Sequence, residues 1–342
     1  MSIKLRYLLC IPFFSCLIAN SQDPHFSQFF MAPHFINPAK VGTQYGDWNI
    51  MGNFRQQWSN AGTAFFTNAF AAEGKLTGQD QVSNILAVGI SLMNDKSMNS
   101  SFRSNYLSAS AAYHVQIDDN HRLGIGFQGA YSKRIIDYTQ LSFGEQFTGR
   151  GFDLAIPNGE LNLSNMPAFY SLGTGFNYIY NTYNFNVDFG AAAYDLNRPN
   201  QSFLNQANRL QPRYSFSTNI DYYTEASVIF NLSSFYHRQT IQFYYSIGGS
   251  IGVAIAPGTW DKVLYTGMWF REGDAIVPYA GFQLNDLRIG LSYDVTHSKQ
   301  NKGPVNPQST ELSFIYTHSR NSRNAPRCPI PNRHLRGNIQ LF

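Results

Sequence analysis

The sequence has 342 residues and a formal net charge of +4; only 13% are Asp, Glu, Lys or Arg, whereas Phe, Trp and Tyr reach 15%, against about 25% charged in an ordinary soluble domain. Mean hydropathy is still −0.27, so apolar and small polar residues are closely mixed, and no run of about 18 apolar residues exists for a transmembrane helix. Such a charge gives no indication of a nucleic-acid partner, and the cysteines and histidines show no metal-ligand spacing, so neither metal nor cofactor is expected.

In chain order, residues 1–21 read as a secretory signal peptide. Lys4 and Arg6 form a basic start, Tyr7 to Ala19 a mostly apolar stretch too short to span a bilayer, and Ala19-Asn20-Ser21 a cleavage site before Gln22. A lipoprotein alternative at Cys16 rests on Phe13-Phe14-Ser15-Cys16, a poor lipobox. Cleavage lowers the charge from +4 to +2 and leaves Cys328 alone of the three cysteines, so no internal disulfide can form.

Residues 22–46 follow as an expected periplasmic N-terminal anchor segment. Pro24, Pro33 and Pro38 remove amide donors and prevent a long regular element, while Phe26, Phe29, Phe30, Phe35 and Ile36 are too apolar for a solvated linker. Gln22, Asp23, Pro24, His25, Phe26, Phe29, Phe30, Asn37 and Pro38 are its candidate partner-binding residues. Its aromatic side chains have three places open to them: under a barrel, inside one, or against a partner.

Residues 47–319 alternate. In 104–117 one face reads Leu107, Ala109, Ala111, Tyr113, Val115, Ile117 and the other Ser108, Ser110, His114, Gln116. In 240–255, Ile241, Phe243, Tyr245, Ile247, Ile251, Val253 and Ile255 oppose Gln242, Tyr244, Ser246, Ser250 and Ala254. That is the period of a strand, at a length suited to a tilted membrane strand. Similar segments at 47–58, 62–75, 85–94, 121–134, 170–182, 184–196, 213–222, 225–236, 262–271, 276–284, 287–296 and 310–319 predict an all-β fold, a transmembrane antiparallel β-barrel of about fourteen strands. From an inward N-terminus, the longest connections, 135–169, 197–212 and 297–309, are all odd. Asp118-Asp119-Asn120, Tyr183, Tyr223-Thr224 and Asn285-Asp286, all even, are tight. This parity is that of long outer loops and short periplasmic turns, with both termini periplasmic.

Loop 135–169 mixes glycines and prolines with Phe143, Phe147 and Phe152, so it is expected to be ordered, folded into the lumen or presented at the surface. Residues 320–342 form a basic periplasmic tail with Arg320, Arg323, Arg327, Arg333 and Arg336.

Three motifs suggest chemistry and fail on context. Gly124-Ile125-Gly126-Phe127-Gln128-Gly129 matches a dinucleotide fingerprint, but a strand continues where a helix should start. Gly248-Gly249-Ser250-Ile251-Gly252 matches a hydrolase elbow without a following helix, and nothing pairs Ser250 with His237 or His114. Asp294 and His297, three apart on a strand, face opposite sides. Arg288, Asp294 and Glu311 are instead candidates for lumen-side ion pairing between adjacent strands.

Gln22-Asp23-Pro24-His25-Phe26-Ser27-Gln28, then Asn37-Pro38-Ala39 and Gly42, then Asn53-Phe54-Arg55-Gln56-Gln57-Trp58, resemble the opening of the PorP/SprF family of type IX secretion proteins from Bacteroidetes. Asp195 to Phe203, Arg271, Ile289 to Thr296, Glu311 and Cys328-Pro329 also sit where that family's pattern would place them, although the chain runs beyond Cys328-Pro329 to Phe342, further than is usual there. The resemblance implies a non-enzymatic outer-membrane barrel of the type IX secretion or gliding apparatus. Its implied partners are outer-membrane lipid, periplasmic secretion components, and a cognate secreted adhesin held through its C-terminal sorting domain. A diffusive porin is the alternative, and an outer-membrane hydrolase a more distant one.

Overall fold

The protein is described here from a computed structural model covering residues 25–58, 64–77, 84–97, 101–137, 141–157, 167–202, 208–255, 260–297 and 308–319. The residues expected to form the signal peptide and the basic tail lie outside these.

Fourteen strands follow a short N-terminal segment: β1 (Trp48–Gln57), β2 (Phe65–Lys75), β3 (Ile85–Ser97), β4 (Phe102–Gln116), β5 (His121–Ile136), β6 (Phe169–Asn181), β7 (Phe185–Tyr194), β8 (Arg213–Tyr223), β9 (Val228–Gln239), β10 (Gln242–Ala254), β11 (Lys262–Arg271), β12 (Ala275–Leu284), β13 (Leu287–Thr296) and β14 (Gln308–His318). Each pairs antiparallel with its chain neighbours, and β1 closes on β14 in a ladder running from Trp48↔His318 to Gln57↔Ser309. The result is a closed barrel, which leaves no unpaired strand edge.

Alternation decides which way each strand faces. Along β4, Leu107, Tyr113 and Val115 are exposed while Ser108, Ser110 and His114 are buried. On β10, Ile251 and Val253 point out and Ser246 and Ser250 point in. On these strands apolar side chains cover the outside and polar ones face the interior, the arrangement a lipid-embedded barrel needs.

An even strand count returns the chain to the rim where it began. Trp48 and His318 mark this terminal rim; Gln57 and Gln308 mark the opposite one, here called the loop rim because the long connections 137–168, 195–212 and 297–307 join strands there. Two loop-rim connections are nevertheless tight, Thr240-Ile241 and Glu272-Gly273-Asp274.

All strand limits fall within three residues of those read from the alternation. Only β9 moves by three residues at both ends, expected at 225–236 and observed at Val228–Gln239. Four residues make the preceding turn: the Val228 amide donates to the Thr224 hydroxyl at 3.1 Å, and Ser227 has φ +60°. Thr240, at φ +56°, permits the two-residue turn that lengthens β9 at its other end.

The described part of the long loop, 141–157, has a 3-10 turn at Gly144–Gln146 and a Phe147↔Phe152 bridge with ring centroids 5.2 Å apart. Phe147, Phe152 and Leu154 are exposed, so this part is presented outside the lumen.

The buried apolar cluster lies inside the barrel, where Phe29, Phe30, Met31 and Ile36 meet Met51, Phe235, Tyr244, Trp269 and Tyr279 from the wall. Residues 25–46 of the expected anchor segment take the inside, one of the three places open to its aromatic side chains, and only the last of them lie at the terminal rim.

A candidate functional site: the filled lumen

The segment before β1 has short turns because its prolines allow nothing longer. A 3-10 turn at Phe29–Met31 leads to α1 (Pro33–Ile36) and a second 3-10 turn at Pro38–Lys40. Pro33 and Pro38 each occupy the first helical turn, where the missing amide costs nothing. Between them Asn37 caps the second turn by accepting from the Ala39 amide at 2.8 Å, and its side-chain amide donates to the Phe176 carbonyl on β6 at 2.9 Å.

At the loop rim the segment is fixed by charge. Glu311 accepts the backbone amides of Ser27 at 2.7 Å and Gln28 at 3.1 Å. Asp294 accepts the Ser27 hydroxyl at 2.8 Å and is gripped by Arg55 at 2.8 Å and Arg271 at 2.7 Å. Arg55 also donates to the His25 carbonyl at 3.0 Å. Two guanidiniums thus face two buried carboxylates, each of which also receives hydrogen bonds from the segment, and Arg271 has a further partner in the half-exposed Asp274 at 2.6 Å.

Mid-lumen contacts are aromatic. Phe30 stacks on Trp269 with centroids 4.4 Å apart and meets the Tyr279 ring edge-on at 5.3 Å; Phe29 stacks on Phe235 at 5.6 Å. The Trp269 indole nitrogen donates to the Ser233 hydroxyl at 2.9 Å, so its polar atom is satisfied.

On the far wall the segment comes too close for side chains. A Cβ on Gly126 would lie 2.4 Å from the Ala39 nitrogen, and one on Gly175 would lie 2.0 Å from the Asn37 side-chain oxygen. Toward the terminal rim, Lys40 pairs with Asp188 at 2.7 Å, and the His114 ring lies 2.8 Å from the Val41 carbonyl. Glu73 receives His34 at 3.0 Å, the Gly42 amide at 2.9 Å and Asn49 at 2.9 Å. Gly42 has φ +81° and packs on Ala87, both of which exclude a side chain.

The barrel is thus closed and filled by its own N-terminal segment. A family model described as type IX secretion system membrane protein PorP/SprF matches residues 18–316. The chain belongs to this family. No curated protein is similar enough to count as a relative. Among solved structures, the CymD monoaromatic hydrocarbon channel is similar at TM-score 0.48 and 9% identity, with 85% of this chain and 93% of that chain covered. The Pseudomonas putida toluene transporter TodX is similar at 0.47 and 9%, covering 83% and 92%. The Ralstonia pickettii toluene transporter TbuX is similar at 0.46 and 9%, covering 84% and 94%. A closed fourteen-stranded antiparallel barrel with an apolar outside, in a family of secretion membrane proteins, belongs in an outer membrane.

In this PorP/SprF chain the sequence candidates fare unequally. Gln22, Asp23 and Pro24 lie outside the described residues. His25 packs on Tyr244 at 4.4 Å between ring centroids, and Phe26, Phe29, Phe30, Asn37 and Pro38 are buried against the inner wall. Asp294 and Glu311 do meet at one site, but their cations are Arg55 and Arg271; the Arg288 guanidinium instead lies over the Tyr265 ring at 4.2 Å.

Sequence reasoning did not assign Ser27, Gln28, His34, Lys40, Glu73 and Asp188 to a site. Their signal was available: in a chain so poor in charge, Glu73 and Asp188 fall on the inward phase of β2 and β7.

The tempting motifs resolve as packing. A Cβ on Gly124 would meet the His114 ring and one on Gly126 the segment backbone, whereas Gly129 has open space. Ser250 pairs across the ladder with Asn231, while His237 pairs with Tyr244 six residues further along β10, roughly 20 Å away. Asp294 is buried and His297 lies outside against the Phe270 ring, tilted to it with centroids 5.5 Å apart, on opposite faces as their spacing required. Among the described residues no group of three potential metal ligands forms.

Proposed function

We propose that this chain is a self-plugged outer-membrane barrel of the type IX secretion or gliding apparatus, which anchors or helps export a cognate surface protein. On this reading it reaches the outer membrane through a cleaved signal peptide. It stands with the terminal rim toward the periplasm, where short turns and the basic tail can contact periplasmic components. The loop rim then faces outward and offers the long connections to a secreted adhesin or its C-terminal sorting domain.

The observation that carries this reading is the filled lumen. A segment bonded to β1, β2, β6, β7, β11, β13 and β14 obstructs the path a diffusing solute would take, so the PorP/SprF barrel acts as a platform and its surfaces do the recognising. The porin alternative needs that lumen clear, and the hydrolase alternative needs a base beside Ser250.

Deleting residues 22–42 while keeping all fourteen strands tests the proposal. Export or surface retention of the cognate protein should be lost, and ion conductance in planar bilayers should appear where the intact barrel shows none. Unchanged surface display of every type IX substrate would sink the proposal, and open-channel current from the intact barrel would restore the porin.

A further inference from the structure

The direction in which the segment runs through the barrel carries a consequence for where the chain before it must go. Four wall residues hold Ser27 and its neighbours, and each lies within three residues of its strand's loop-rim end: Arg55 in a strand ending at Gln57, Arg271 at the last position of β11, Asp294 in a strand ending at Thr296, and Glu311 in a strand starting at Gln308. Asn37 and Ala39 then touch the middle of β6 and β5, through the Phe176 carbonyl and Gly126. Val41 and Gly42 reach His114 and Ala87, third from the terminal-rim ends of β4 and β3. Finally the Asp47 amide donates to the His318 carbonyl at the terminal rim itself, at 2.7 Å. Twenty-three residues, 25–47, therefore cross the whole barrel once, in the direction opposite to β1.

From these positions we infer that the chain preceding His25 leaves through the loop rim, the face of the long connections, and not through the terminal rim where β14 ends. Parity alone gives the reverse, since an even number of strands puts both barrel ends at one rim. The lumenal crossing adds one more traverse and moves the N-terminus to the other side. The β1–β14 ladder is continuous over ten residue pairs, so the segment passes through the lumen and not between these two strands.

Which rim faces outward belongs to the proposed function and is read separately in the same experiment. Single cysteines are placed in the full-length chain carrying Cys328→Ser, at Asp23→Cys, at Leu154→Cys in the exposed loop-rim segment, and at Asp119→Cys in the terminal-rim turn between β4 and β5. Cells are treated with a membrane-impermeant maleimide before and after outer-membrane permeabilisation.

The expected result is that positions 23 and 154 label fully on intact cells and position 119 only after permeabilisation. If 154 and 119 exchange behaviour while 23 still follows 154, the inference stands and the outward loop rim is wrong. If 23 follows 119, or reacts only after the barrel is unfolded in detergent, the inference is overturned.

Discussion

Arg55 on β1 and Asp294 on β13 are separated by the whole of β14, yet their side chains meet at 2.8 Å inside the barrel. They reach each other because the wall curves and because Ser27 fills the space above the intervening strand, bonding to both. With Arg271 and Glu311 they form a buried set in which removing one member strands the others.

Arg55→Ala should accordingly destabilise the barrel strongly, because it leaves Asp294 and Glu311 facing each other with one cation fewer. Breaking a buried pair costs about 3–5 kcal/mol. The urea midpoint, followed by the mobility shift of the folded barrel on unheated gels, should fall markedly. Arg55→Met together with Glu311→Gln should recover part of the loss by removing charge from both sides.

Gly126→Val should dislodge the segment without harming the wall. Its side chain would enter the space of Ala39 and Pro38 backbone atoms at 2.4 to 2.6 Å, which cannot swing aside as a flexible side chain could. Gly129→Val, three residues along the same strand and facing open space, is the control. Single-channel recording and sensitivity of cells to a large hydrophilic antibiotic should rise for the first variant alone; equal behaviour of the two would remove the role assigned to this contact.

Phe30→Ala should loosen the segment at mid-lumen by deleting the ring that stacks on Trp269 and abuts Tyr279. Truncating a buried Phe costs about 3–5 kcal/mol. Trp269 is 1% exposed, so admission of water around it should red-shift its fluorescence, measured in a variant lacking the other three tryptophans.

Glu73→Ala should free the terminal-rim end of the segment, since His34, the Gly42 amide and Asn49 all lose an acceptor. An unsatisfied buried donor costs about 1–3 kcal/mol. Amide exchange at residues 40–44 should accelerate at least tenfold while the strand ladders remain protected; uniform acceleration would instead mean that Glu73 supports the barrel as a whole.

What the sequence determined by itself was the wall. Whether a residue of β4 or β10 faces lipid or lumen follows from its place in a two-residue period, a local property that needs no knowledge of distant residues. Connection lengths then set the strand count and separated the two rims. The family likeness was equally local, carried by short runs such as Asn53 to Trp58.

The tertiary structure alone decided what the wall encloses. The bonds from Ser27 to Asp294, from Lys40 to Asp188 and from Asn37 to the Phe176 carbonyl join residues 267, 148 and 139 positions apart, and no periodicity encodes such partners. Asp294 and Glu311 were legible as inward charges, but their cations came from strands whose proximity depends on barrel curvature, which left Arg288 to stack on Tyr265 instead. The aromatics of the N-terminal segment declared that something must cover them; only the closed barrel, with glycines at the points of nearest approach, determined that the cover was its own inner wall and that residues 25–47 run from the loop rim to the terminal rim.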